Sequence, residues 1–127
     1  MTVVLAAGAA SGAQGNATTV PVHFAKGSSS ATLKGSFSGY DTVNYMISAK
    51  ARQVMTVKMH GSESANFNVF KPGDSPGMST ALGSGSFGAD WSGTLPANGK
   101  YTVQVFQMRA SARNGERVPY TVTFEVR

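Results

Sequence analysis

The residue types best suited to chemistry in this sequence are three arginines spaced four apart, Arg109, Arg113 and Arg117. A guanidinium group makes planar, two-pronged hydrogen bonds to a carboxylate, so a cluster of them suits an acidic partner. Arginine is also enriched among the residues that dominate the binding energy of protein interfaces. The alternative interpretation is a charged turn that only keeps the chain soluble. We interpret the segment as a binding site.

Catalysis has weaker support, because the acids and histidines form no recognisable pattern. His23 and His60 lie far apart in sequence. A glycosidase needs two carboxyl groups held about 5–10 Å apart, and the spacing of the acids indicates no such pair. There is no cysteine, no metal-spaced cluster and no nucleophile or phosphate-loop motif. We therefore expect no enzyme activity, no metal and no cofactor.

The charge balance favours an acidic partner without identifying it. The formal net charge is +5 and the sequence pI is about 9.8, which suits anionic protein surfaces, nucleic acid or wall polymers. The lysines are scattered singly along the chain, and no base-stacking motif accompanies them. We expect no nucleic acid among the partners.

The segments on either side of the arginines alternate between apolar and polar residues. Before them, Tyr101, Val103 and Val105 share one face, and after them Tyr120, Val122, Phe124 and Val126 do the same. This pattern is typical of half-buried strands. The whole chain predicts about eight short strands with no helical period, at 20–24, 31–37, 43–49, 54–59, 66–70, 89–95 and the two segments that flank the arginines.

Short strands separated by glycine- and proline-rich turns predict an all-β fold, an antiparallel β-sandwich or jelly-roll-like domain. Residues 74–88 are expected to form a surface loop. Residues 1–15 are apolar, small and uncharged, which predicts a signal-peptide-like leader before a single domain at 16–127. The leader is shorter than the roughly 20 residues that span a bilayer. We expect a periplasmic or secreted monomer with no membrane anchor.

Four motifs, GSFSGYDTVNY, FNVFKPG, GTLPANGKYTVQV and MRASARNGE, make the chain similar to the PliG-like family of bacterial inhibitors of g-type lysozyme. The chain also resembles bacterial pre-peptidase C-terminal β-sandwich domains. One departure from the family is Lys50-Ala51-Arg52-Gln53, where relatives more often read Ala-Gly-Gln. The resemblance implies an exported β-sandwich whose partner is g-type lysozyme and which blocks the active-site groove of that enzyme.

The resemblance also implies which residues make the contact. In the family a surface tyrosine and two arginines on a loop contact the enzyme, and they match Tyr40, Arg109 and Arg113 here. Neighbouring residues would support this interface, namely Ser38, Gly39, Asp41, Asn114 and Arg117. The alternative function is a non-catalytic module that binds glycans or the cell wall.

Overall fold

The computed structural model of this protein describes residues 15–85 and 90–127. Its strands, along which apolar and polar residues alternate, form two sheets. The leader expected at 1–15 lies almost entirely outside the described residues. The described strands are β1 (Ala17–Pro21), β2 (Ser30–Ser38), β3 (Thr42–Ala49), β4 (Val54–Gly61), β5 (Asn66–Phe70), β6 (Gly83–Gly85), β7 (Trp91–Thr94), β8 (Gly99–Phe106) and β9 (Arg117–Val126), with one short helix, α1 (Arg109–Ala112).

The strands form a five-stranded sheet in the order β1-β3-β8-β5-β6 and a four-stranded sheet in the order β2-β9-β4-β7. Every pair is antiparallel except β1 with β3. The inward residues of both sheets make one core, and the alternation predicted around the arginines is confirmed. Tyr101, Val103 and Val105 of β8 and Val122 and Phe124 of β9 are fully buried. The predicted all-β sandwich is confirmed.

The described residues hold nine strands rather than about eight, because β6 lies inside the predicted surface loop. The sequence of β6, Gly83-Ser84-Gly85, carries no alternation that could have indicated a strand. Its pairing with β5 and the packing of the Trp91 indole against Gly83 hold it in place. The strand predicted at 20–24 begins earlier, at Ala17, and ends at Pro21. β1 is an edge strand, where proline is tolerated.

Two tyrosines join the sheets inside the core. The hydroxyls of Tyr45 on β3 and Tyr120 on β9 lie 2.6 Å apart in a buried hydrogen bond. Gly35 on β2 leaves room for this pair, because a Cβ atom there would lie 2.5 Å from the Tyr120 hydroxyl oxygen. Burial raises the pKa of both phenols. The mutual hydrogen bond raises the pKa of Tyr120 further and partly offsets the increase for Tyr45.

The tyrosine pair predicts a loss of stability in alkali. In the unfolded chain both phenols ionise near their ordinary pKa of 10.0, whereas the folded protein keeps them protonated. Their contribution is therefore fully present below pH 10 and falls as the pH rises above it. We expect the Tyr45→Phe/Tyr120→Phe variant to lose less of its unfolding free energy between about pH 8 and pH 11 than the parent does. Guanidinium chloride titrations at both pH values measure this, and equal losses would contradict it.

The turn that departs from the family pattern contains a strained residue. Arg52 has φ of 74°, the left-handed region that favours glycine. Its backbone N–H donates to the carbonyl of Leu95 at 2.7 Å, which fixes the turn. We expect Arg52→Gly to raise the unfolding free energy by roughly 0.5–1 kcal/mol, because the strain is relieved. Thermal unfolding measures the gain. Arg52→Ala is the control, since alanine keeps the strain and should bring no such increase.

Candidate functional site

Two connections that cross between the sheets meet at one end of the sandwich. The turn after β2 leads from the four-stranded to the five-stranded sheet, and residues 107–116, here called the arginine segment, lead back from β8 to β9. The Gly39 N–H donates to the Glu116 carbonyl at 3.2 Å. A methyl group built on Gly39 would lie 3.7 Å from the Ala112 carbonyl oxygen. The turn that carries Tyr40 therefore packs against the segment that carries Arg109 and Arg113.

A single helical turn positions the two arginines. The N–H of Ala112 donates to the Met108 carbonyl, and that of Arg113 donates to the Arg109 carbonyl, both at 2.9 Å. The buried Ala112 attaches the turn to the domain, and Gly115, with φ of 69°, reverses the chain after it. Residues four apart lie on the same side of a helix, so Arg109 and Arg113 are neighbours on one face.

The helix corrects the sequence-based expectation of a loop without helical structure. One turn is too short to show a 3.6-residue period, although arginine and alanine are good helix formers. Arg117 also differs from the expectation, because it is the first residue of β9 and not part of the loop. Its backbone pairs with Ser38, and its Nη2 group donates to the Ser36 hydroxyl at 3.4 Å.

Both guanidinium groups at this end are available to a partner. Arg109 and Arg113 are exposed, and neither has an ion pair or side-chain hydrogen bond to any of the residues at 15–85 and 90–127. Glu116 does not neutralise them. Its carboxylate instead accepts a 2.7 Å hydrogen bond from the Ser64 hydroxyl in the turn between β4 and β5. Two positive charges therefore lie on one face, and neither forms an ion pair with a carboxylate of the described residues.

Most of the remaining residues expected at the interface hold the backbone of the two connections in place through hydrogen bonds. Tyr40 is half-buried, so its ring is neither enclosed in the core nor free on all sides. Asp41 accepts a hydrogen bond from the Asn16 N–H at 2.8 Å, and its own N–H donates to the Ser38 carbonyl at 3.0 Å. Asn114 donates from its side-chain amide to the Ala110 carbonyl at 3.3 Å. These bonds fix both connections.

Sequence reasoning missed Gln107, which ties the two connections together. Its side-chain N–H₂ group donates to the Gly39 carbonyl at 2.9 Å and to the Glu116 carbonyl at 2.8 Å. The residue is only 7% exposed, and its side-chain oxygen is buried without a partner among the described residues. A signal was present in the sequence, since Gln107 occupies the next inward position after Tyr101, Val103 and Val105. A polar residue there requires hydrogen-bond partners.

Other kinds of site find little support in the described part of the chain. Within residues 15–85 and 90–127, no three histidine, aspartate or glutamate side chains come close enough to hold a metal ion. No helix in the same ranges is long and apolar enough to cross a membrane. His23 and His60 are both exposed, on separate elements.

Comparison with known proteins finds inhibitors of g-type lysozyme among the proteins to which this chain is similar. No protein-family model matches the chain. The crystal structure of Aeromonas hydrophila PliG, a periplasmic inhibitor of g-type lysozyme, is 57% identical, with a TM-score of 0.86 over 88% of this chain and 98% of that one. The inhibitor of g-type lysozyme from Escherichia coli K12 is 33% identical over 85% of this chain and 80% of its own length.

The second resemblance concerns the fold alone. The pre-peptidase C-terminal domain of a Bacillus anthracis collagenase superposes with a TM-score of 0.54 at 18% identity, over 88% of this chain and 95% of that one. The sandwich architecture is therefore shared beyond lysozyme inhibitors. At the identity and coverage of its two closer relatives, the chain belongs to the PliG family of g-type lysozyme inhibitors.

Proposed function

We propose that this chain is a non-catalytic inhibitor of g-type lysozyme, exported by residues 1–15 to the periplasm or beyond. Tyr40, Arg109 and Arg113 enter the active-site groove of the enzyme and block it. The A. hydrophila and E. coli relatives are named as inhibitors of this lysozyme class. The observation that carries the proposal is the hydrogen bond from the Gly39 N–H to the Glu116 carbonyl. It holds the Tyr40 turn beside two exposed guanidinium groups that form no ion pair with the described residues.

The electrostatics of the arginine segment suit a groove that contains carboxylates. Two like charges four residues apart on a helix repel by about 0.2–0.5 kcal/mol. A glycosidase holds acidic groups beside its scissile bond. A guanidinium inserted there forms charge-assisted hydrogen bonds in a setting with little water, where such bonds are strong. Binding therefore also relieves the repulsion between Arg109 and Arg113.

Tyr40 supplies a different kind of contact. A tyrosine can occupy a sugar subsite, because its ring stacks against the wall of the groove and its hydroxyl makes hydrogen bonds. Because Tyr40 is half-buried, part of its surface is already packed against its own domain. Less side-chain freedom is then lost on binding.

The interface is held in place before the partner arrives. The Gln107 amide, the Ser64–Glu116 hydrogen bond and the Asp41–Asn16 hydrogen bond fix both connections. A fixed surface avoids the ordering cost that a flexible loop would incur on association. Ser38, Gly39, Asp41, Asn114 and Arg117 then form the polar surroundings of the three inserted side chains.

Removal of one guanidinium tests the proposal. We expect Arg113→Ala to weaken binding to g-type lysozyme by about 2 kcal/mol or more, as for an interface hot spot, with unfolding unchanged. Calorimetric titration and an assay of cell-wall lysis measure the two quantities. Arg52→Ala is the matched control, because Arg52 is exposed in the turn after β3, at the opposite end of that strand from Tyr40.

Two outcomes would count against this function. Full inhibition by the triple variant Tyr40→Ala/Arg109→Ala/Arg113→Ala would remove these residues from the site. Sedimentation of the wild-type chain with peptidoglycan, together with no effect on lysozyme, would favour the glycan-binding alternative.

The two hydrogen bonds donated by the Gln107 side chain give a separate prediction. We expect Gln107→Ala to lower the unfolding free energy by about 1–3 kcal/mol, because two part-buried hydrogen bonds, to the Gly39 and Glu116 carbonyls, are lost. It should also reduce inhibition, because Tyr40 and the arginines no longer share a fixed geometry. Gln104→Ala is the control, since Gln104 lies three residues earlier, on β8, and also loses a side-chain hydrogen bond, to Asn44 at 3.0 Å.

Denaturant titrations and dissociation rates from g-type lysozyme measure these effects. Equal dissociation rates for the two glutamine variants would show that Gln107 does not position the site.

A further inference from the structure

We propose that the surface in contact with lysozyme extends past the arginines into a groove beside α1, with Met108 as its apolar anchor. The inference rests on the proposed function and specifies a second contact of the same interface. The groove has a volume of about 390 Å³ and lies between α1 and the turn that joins β4 to β5. It is lined by Glu63, Ser64, Asn66, Met108, Ala110 and Ser111.

Met108 is unusual for its exposure. Its side chain is 49% exposed, and in residues 15–85 and 90–127 the other large hydrophobic side chains with substantial exposure are Val54 and Met78. Val54 follows the turn at the far end of β3, and Met78 lies in the connection that begins beside Gly99, at the start of β8. Of the three, Met108 alone lies at the end of the sandwich that carries Tyr40 and the arginines.

The groove is preformed. Its outer wall is tied to the arginine segment by the 2.7 Å hydrogen bond between Ser64 and Glu116. The turn itself is closed by the Ser64 N–H, which donates to the Ser62 hydroxyl at 3.1 Å. The Asn66 side chain donates to the Ser64 carbonyl at 3.1 Å. An apolar group can therefore enter without a rearrangement of the walls.

The size of a stable interface requires contacts beyond the three inserted side chains. A specific protein complex buries about 800 Å² on each partner, drawn from some 20–30 residues. Met108 is adjacent to Arg109, with Cα atoms about 3.8 Å apart, and both residues are exposed, so Met108 lies within the area that a partner of this size centred on the arginines would cover. The surface on the other side of the segment is polar, with Ser36, Ser38 and Arg117. The groove is thus a concave, largely apolar part of this end, as expected for the core of an interface.

The lining also specifies the chemistry of the incoming group. Methionine is flexible and polarisable, so it adapts to an apolar side chain of the partner. Glu63 is exposed at the groove and has no ion pair with any described residue. The group that fits is therefore an apolar side chain of lysozyme with a cationic neighbour.

Matched methionine variants test the inference. In calorimetric titrations with purified g-type lysozyme, we expect Met108→Ala to raise the Kd about tenfold and Met108→Lys to raise it further. Met108→Leu should remain near the wild type, because it keeps the apolar volume. Met78→Ala is the control, since Met78 is 86% exposed and distant from the groove. Thermal unfolding should be unchanged in all four variants.

The outcomes separate this inference from the function on which it rests. If Met108→Ala binds as tightly as Met78→Ala while Arg113→Ala binds weakly, the groove is not a contact, and the proposed function stands. If the wild type does not bind lysozyme at all, both fail. If light scattering shows a dimer that Met108→Ala dissociates without a change in the Kd for lysozyme, the groove belongs to a second copy of this chain, and the inference is overturned.

Discussion

Strand pairing is the constraint that brings the residues of the proposed interface together. β2 pairs with β9 in one sheet, and β3 pairs with β8 in the other. The connection from β2 to β3 and the connection from β8 to β9 therefore cross between the sheets at the same end and must lie side by side. The buried Gln107 amide completes this arrangement, because it binds a carbonyl of each connection. The site is a property of the sandwich as a whole and not of either segment alone.

The dependence of the site on strand pairing explains which parts of the molecule could be predicted from the sequence. The β-sandwich was predictable because its inward residues alternate, as in Tyr120, Val122 and Phe124. β6 was not, since its three residues carry no period and are held by partners distant in sequence. The arginines were evident as residue types. Their closeness to Tyr40 depends on pairing between strands far apart in the chain, so only the family resemblance could indicate it.

The local form of the arginine segment has a physical reason as well. A flexible loop would present the same charges, but it would lose more conformational freedom on binding. In α1 two backbone hydrogen bonds and the buried Ala112 have already fixed the segment. The repulsion between Arg109 and Arg113 is small beside the stability of a domain with one continuous core. The fold therefore carries a pair of adjacent cations at little cost.

Selectivity requires more than these cations. Paired carboxylates are common to most glycosidases, so two guanidinium groups alone would not distinguish g-type lysozyme from other enzymes of that chemistry. Specificity is a difference in affinity, and it depends on shape and on groups that fit one partner and clash with another. Such features lie around the arginines, in the half-buried Tyr40 ring and in the groove beside Met108. In the proposed mode of inhibition, the arginines bind a carboxylate-bearing groove, while the choice among lysozymes depends on the surfaces that border them.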